Sequence, residues 1–240
     1  MVVAPRGAGR RHGRGAIRMN PFGWLARTVR EKGAARTAQI AWNFGADLWF
    51  DWRYGTDTMR WEAREELGAT ADSLAHSRQY KATKTRPFLR LLRELDLPRD
   101  CHFVDIGAGK GRVLLIAAQY GFRKVVGIEF SRRLCELARN NVAIFSRKVR
   151  LASPVEVVEA DATTHQFAPE DRVLFLFNPF DGVILARVVE NLRRSLEQRP
   201  RRVWLIYNDP QHHEVVRNSR LFRSDTAHWV GGTHFQVYAN

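Results

Sequence analysis

The chain has 240 residues and a mass of 27.7 kDa, with 45% hydrophobic residues, which suits one α/β domain with a short extension and is too little for two full domains. Its formal charge of +14 suggests nucleic acid at first sight, but residues 1–36 hold nine Lys or Arg against Glu31 alone and so carry +8, leaving +6 for the rest. No uninterrupted apolar run is long enough to span a bilayer, so a membrane is not an expected partner.

Residues 1–18, "MVVAPRGAGRRHGRGAIR", are rich in Gly and Arg and cannot bury a core, so they are expected to be a basic, disordered tail. Met19 is an alternative start. The segment is acid-poor, as a transit peptide is, but lacks its Ser content; a nucleic-acid arm is a further reading, and a solvated tail the plainer one. Residues 19–84 read as a helical, aromatic-rich extension and lid. Ile40, Phe44, Ala46 and Leu48 suggest a helix running into the turn-like "DWRYGTDT". Trp42, Phe44, Trp49, Phe50, Trp52, Tyr54 and Trp61 cluster there. Such clusters can mark membrane interfaces or base-stacking surfaces; the packing face of a docked helix is the reading favoured here.

From residue 85 to 240 the pattern alternates without waste. A helix over "RPFLRLLRELDL" precedes "HFVDIG", "RVLLIAAQYG", "KVVGIEF", "RRLCELARNNVAIF" and "VEVVEAD". "RVLFLFN", "GVILARVVENLRRSLE", "RRVWLIYND" and "HHEVVRNS" follow, then two strand-like runs separated by "GGT". This predicts an α/β fold: a mostly parallel seven-stranded sheet, helices on both faces, and a C-terminal antiparallel hairpin. Cys101 and Cys135 have no metal or redox spacing and read as buried thiols of a reducing, cytoplasmic compartment. His212-His213-Glu214 lacks helical ligand spacing, so no metal site is expected.

The stretch "FVDIGAGKGRVLLIAA" decides what the sheet holds. A P-loop would need Gly at Val104 and a hydroxyl at Gly111. A dinucleotide fingerprint would need its third Gly at Arg112, whose bulk opposes close helix–strand packing. The observed spacing is Gly107, Gly109, Gly111 behind the acidic Asp105. That suits a cofactor without phosphate: the backbone can pass under an adenosyl-methionine moiety, and Asp105 puts negative charge near its sulfonium and amino groups. Glu129, eighteen residues past Gly111 and at the second strand's end, can accept from both ribose hydroxyls. Asp161, read as the third strand's end, and Ala162 place an acceptor beside the adenine. Asn178 closes the fourth strand before Pro179 and Phe180. Four polar strand ends on one edge form a series rather than separate turns.

On "VDIGAGKGR", "GIEFS", "EADAT" and "FNPF" the sequence from about Tyr80 to Asn240 resembles class I S-adenosylmethionine (SAM) methyltransferases. On "YGTDT", "DIGAGKGRVLL", "NPF" and "YND" it is similar to small bacterial members of unassigned substrate. A looser similarity runs to the seven-strand protein-lysine methyltransferases. The resemblance implies SAM as cofactor, with Asp105, Gly107, Gly109 and Gly111 at the methionine end and Glu129 on the ribose. Asp161 and Ala162 would frame the adenine, and Tyr80 and Thr83 would lie in a closing loop. It implies an acceptor at Asn178, Pro179 and Phe180, with Asn178 also touching the cofactor, although amino-directed relatives carry a second Pro there.

Methyl transfer from a sulfonium needs alignment and exclusion of water more than an elaborate set of catalytic groups. The expected acceptor is a nitrogen on a protein or other macromolecule, with nucleic acid possible. A small-molecule acceptor, a non-catalytic SAM-binding module and an NAD(P) oxidoreductase are the rivals. Trp52 and Tyr54 are expected to form the opposite wall. Tyr54, Asp209 and His212 are candidate bases or orienters.

Overall fold

Strand alternation in the middle of the chain sets up two cores, and the computed structural model, which describes residues 21–60 and 82–240, shows both. The expected tail (residues 1–18), Trp61 and Tyr80 lie outside the described residues. The chain divides into two compact units, Met1–Ala38 and Gln39–Asn240.

In the first unit the described part is α1 (Pro21–Lys32) and the start of α2 (Ala34–Tyr54). Gly33, with φ +79°, ends α1 by donating its N–H to Val29 O, and Thr37 Oγ1 returns a hydrogen bond to Gly33 O.

The second unit holds the rest of α2, then α3 (Thr85–Glu94), β1 (His102–Ile106), α4 (Arg112–Ala117) and β2 (Lys124–Glu129). After these come α5 (Arg132–Ser146), β3 (Val155–Glu159), β4 (Asp171–Leu176), α6 (Gly182–Gln198) and β5 (Trp204–Asn208). The chain finishes with α7 (His213–Asn218), β6 (Ser224–Val230) and β7 (Thr233–Ala239). The sheet order is β3-β2-β1-β4-β5-β7-β6. Strands β1 to β5 are parallel, and β7 pairs antiparallel with both β5 and β6. The hairpin closes through Gly231 and Gly232, both at positive φ, as a two-residue turn requires.

Phe103, Val125, Val173, Phe175, Ile206 and Phe235 face one core with Phe50 of α2, Phe88 and Leu92 of α3, Leu115 of α4 and Phe145 of α5. Val104, Ile106, Ile128, Leu174 and Leu205 face the other, with Leu185, Val188 and Leu192 of α6 and Val216 of α7. The period-2 pattern therefore sorts residues onto two covered faces.

Several sequence expectations are corrected. The third strand ends at Glu159 rather than Asp161, and the fourth at Leu176 rather than Asn178. Each stops where its partner stops, Glu159 opposite Glu129 and Leu176 opposite Ile106. The helix of α2 continues through "DWRY" to Tyr54. It docks through Asn43, Asp47 and Phe50, which are buried, while Trp42, Phe44, Leu48, Trp49 and Trp52 are exposed. The tryptophans are thus not its packing face. Arg112 does not spoil the contact of α4 with the sheet, because that contact is made at Gly127 of β2. A Cβ there would lie 2.6 Å from Leu114 Cδ1 and 2.9 Å from Ala108 Cβ.

Cys101 and Cys135 are buried free thiols, and burial pushes them up to about 11 and about 12. Among the described residues no helix is long and apolar enough to cross a membrane, and no group of three His, Cys, Asp or Glu could hold a metal.

Candidate active site

The carboxyl ends of β1, β2, β4 and β5 bring the glycine loop, Glu129, the Asn178 loop and residues 209–212 to one edge. Gly107, Gly109 and Gly111 all have positive φ (80°, 54° and 82°), so the loop needs glycine at each. Gly107 and Ala108 donate their N–H groups to Ile128 O at 2.8 and 3.0 Å, which lays the loop across the end of β2. Glu129 then fixes it from the side: its Oε2 accepts from Gly109 N at 2.9 Å and its Oε1 from Ser131 N at 3.0 Å. Pro179 covers Gly107 so closely that a Cβ at 107 would lie 2.3 Å from Pro179 Cβ. Gly111 instead caps α4 and faces α5, where its Cβ would meet Ala138 Cβ at 3.2 Å.

Asp105 and Glu129 are both almost fully buried. Burial, and then the Glu129 charge, hold the Asp105 carboxyl well above the usual carboxylate range. Burial also raises Glu129, against the lowering effect of backbone N–H donors at Ser131, Gly109 and Phe130. Two adjacent buried acids create a site whose protonation a cation would reverse. A sulfonium with an α-ammonium group fits that charge.

Asn178 sits at φ +44° with its amide tied at both ends. Its Oδ1 accepts from Tyr207 Oη at 2.7 Å and from Gln211 N at 3.4 Å. Its Nδ2 donates to the main-chain oxygen of Asp209, itself at φ +49°. Tyr207 Oη also accepts from His212 N at 3.3 Å. His212 Nδ1 lies where a Cβ on Gly182 would be 3.4 Å away. Asp209 and His212 are therefore brought to the Asn178 loop. Tyr54 is half-buried, and its ring packs between Phe50 and Phe145, with centroids 4.9 and 4.5 Å away. Trp52 is 77% exposed. Phe180 is half-buried and packs onto the α6 side of the sheet.

Asp161 is exposed, two residues beyond β3, and its Oδ1 accepts from Thr163 N at 2.8 Å, forming a local turn. Ala162 is buried beside α6, where Asn191 Nδ2 donates to its oxygen at 3.4 Å. Thr83 is buried just before α3.

A buried charge network was not anticipated from the sequence. Arg112 lies 3.1 Å from Asp47 and 3.2 Å from Asp51, and its Nε donates to Thr58 Oγ1 at 2.7 Å. Asp47 also pairs with Lys84 and accepts from Thr85 N. Asp51 gathers Thr56 Oγ1, Thr58 N, Thr58 Oγ1 and Met59 N. Lys110, fully buried, lies 3.3 Å from Asp57, whose N–H donates to Asn141 Oδ1. "YGTDT" is thereby latched to the glycine-loop helix. The signal was present in the sequence: two cations inside "GAGKGR" and three aspartates at 47, 51 and 57.

Residues 76–189 match the family model described as histone methylation protein DOT1. No curated protein sequence matches the chain at a significant level. Among solved structures the chain is similar to a candidate O-methyltransferase of Nostoc punctiforme. That comparison has TM-score 0.52 and 13% identity, covering 65% of this chain and 55% of that one. It is also similar to a SAM-dependent methyltransferase of Aquifex aeolicus, with TM-score 0.50, 17% identity, and 74% and 98% of the two chains covered. A third is the precorrin-6y C5,15-methyltransferase of Geobacter metallireducens, with TM-score 0.50, 18% identity, and 72% and 97% covered. The chain thus spans about 55% of the length of the Nostoc protein. Seven strands in this order are the class I methyltransferase fold, and the family match spans its glycine loop. The match across residues 76–189 agrees with a SAM-dependent methyltransferase that takes its methyl group from SAM.

Proposed function

We propose that the chain methylates a nitrogen on a protein or other macromolecule, presented at the Asn178–Phe180 loop. The observation that carries this reading is the Asn178 amide, held by Tyr207 on a loop whose Pro179 rests on Gly107. An acceptor placed there lies beside the loop assigned to the methyl donor. The match to a histone-methylation family supports an amino nitrogen, and short connections between strands leave the edge open to a large substrate.

In this reading Asp105 faces the cationic methionine end and Glu129 takes the ribose hydroxyls with the lone pairs left after Gly109 and Ser131. Asp161 and Ala162 border the adenine. Bound SAM supplies an electrophilic methyl on a good leaving group. The chain's own part is to fix the nucleophile in line, with Phe180 as an apolar wall, and to shed water. Asn178 acts by shaping the loop, and an acceptor N–H would take the place on its oxygen that Gln211 N holds only at 3.4 Å. His212, next to Gln211 in this loop, is the candidate base for an amine proton.

Labelled SAM incubated with the protein and a lysate from a strain lacking it, then fractionated, tests the reading. Label is expected in protein or another macromolecular fraction. Label confined to small molecules would refute a macromolecular acceptor.

A further inference from the structure

The two edges of the sheet differ in charge. The carboxyl edge carries Asp105, Glu129, Asp161, Asp181 and Asp209, with Lys110 in the glycine loop. The loops at the opposite edge, 95–101, 118–123, 147–154, 165–170, 199–203 and 219–223, hold ten Lys or Arg against Asp96, Asp100 and Glu170. A cavity of about 510 Å³ opens there, lined by Arg201, Arg202, Arg220, Leu221, Arg223 and Asn240. Its lining includes no Asp or Glu side chain.

The cavity has a fixed floor. Arg201 donates through Nε to Asp171 O at 3.3 Å, through Nη1 to Ser195 O and Arg199 O, and through Nη2 to Ser195 Oγ. Asn240 Nδ2 holds Arg201 O at 3.0 Å, while its Oδ1 accepts from Val203 N at 2.9 Å. Burial pulls the Arg201 guanidinium below its ordinary range, against the raising effect of Asp171. The rim consists of Arg202, Arg220 and Arg223, all exposed. Arg202 lies 4.9 Å from the centre of the Trp204 ring, with Arg172 at 5.7 Å, so Trp204 orders the rim without presenting a free face. Converging guanidinium groups repel one another, and a multiply charged anion relieves this through paired N–H donors.

We propose that this cavity binds phosphates of a nucleic-acid backbone, with Arg202, Arg220 and Arg223 as the donors. A backbone rather than a free anion is assigned because the basic loops continue from the cavity to residues 147–150. At about 4.8 Å per strand, β5 and β3 lie roughly 19 Å apart, further than a small anion reaches. A five-residue strand spans about 17 Å, so a duplex held here would leave the cofactor edge free. The proposal is independent of the acceptor assigned above.

The full chain is titrated into a fluorescent RNA hairpin at several salt concentrations. Arg202→Gln/Arg223→Gln is compared with Arg93→Gln/Arg187→Gln, which removes equal charge from exposed helix positions. The cavity pair should weaken binding about tenfold and lower the salt slope by about 1–2, while the control pair changes affinity less than about twofold. Arg202→Lys/Arg223→Lys should fall between, having charge without the fork. Unchanged homocysteine-product (S-adenosylhomocysteine, SAH) affinity checks that each variant is folded. Inorganic tripolyphosphate should displace the RNA from the parent protein. Equal losses in both Gln pairs would overturn the proposal, as would tripolyphosphate binding that RNA cannot displace, since the site would then take a free anion.

Discussion

The Tyr207 hydroxyl donates to Asn178 Oδ1 at 2.7 Å, tying the end of β5 to the loop after β4. Tyr207→Phe keeps the ring and removes the donor. We expect a stability loss of about 1 kcal/mol and a larger fractional fall in kcat than in SAH affinity. Denaturation and single-turnover kinetics on the same variant check both parts. Asn178→Ala should cut turnover about a hundredfold through lost alignment, with SAH binding nearly intact. Loss of stability and cofactor affinity together, with turnover otherwise preserved, would leave Asn178 as a turn residue only.

Glu129 holds the glycine loop as well as facing the proposed ribose site. Glu129→Ala should weaken SAH by about 1.5–3 kcal/mol, since charge-assisted hydrogen bonds are lost. Calorimetry showing unchanged affinity would remove Glu129 from the cofactor site.

Asp105 gives a pH prediction. Its folded-state range is raised by burial and by Glu129, so the folded chain holds this proton to higher pH than the unfolded chain does. The associated stability is full below the ordinary Asp range and is lost as pH rises through the raised one. Asp105→Asn should therefore raise the melting temperature of the ligand-free protein at neutral to alkaline pH while weakening SAM. SAM binding to the parent should release protons, visible as an enthalpy that changes with buffer. A melting temperature unmoved or lowered across that range would contradict a costly ionised Asp105.

Arg112 faces Asp47 and Asp51, with almost none of its surface exposed. Arg112→Met takes the buried guanidinium from Asp51 and leaves Asp47 with Lys84 alone, so a loss of about 3–5 kcal/mol is expected in urea unfolding. Adding Asp47→Asn should recover part of it. A strictly additive double variant would show that the pair is not coupled.

The strands and helices were legible because burial on two faces imposes a period of 2 on the strands and an apolar stripe on the helices. Strand ends were less legible. Asp161 and Asn178 continue an apolar run in the sequence, but pairing stops where Glu129 and Ile106 end their own strands. The docked face of α2 was hidden for a different reason. Its aromatic content dominates the sequence, whereas contact is set by Asn43, Asp47 and Phe50. Arg112 looked like a flaw in a glycine motif, because its aspartate partners lie more than 60 residues upstream. The polar edge at Asp105, Glu129 and Asn178 was readable, since only polar residues interrupt otherwise apolar strand ends.

The most direct test of the account is the atom that receives the methyl group. Isotope-labelled SAM, the protein and the acceptor fraction are combined, and the product is fragmented by mass spectrometry, with Glu129→Ala as the control. The account predicts a methyl on nitrogen in a macromolecular product, and much less of it with the control variant. A methyl on oxygen or carbon, formed by the parent protein, would contradict it.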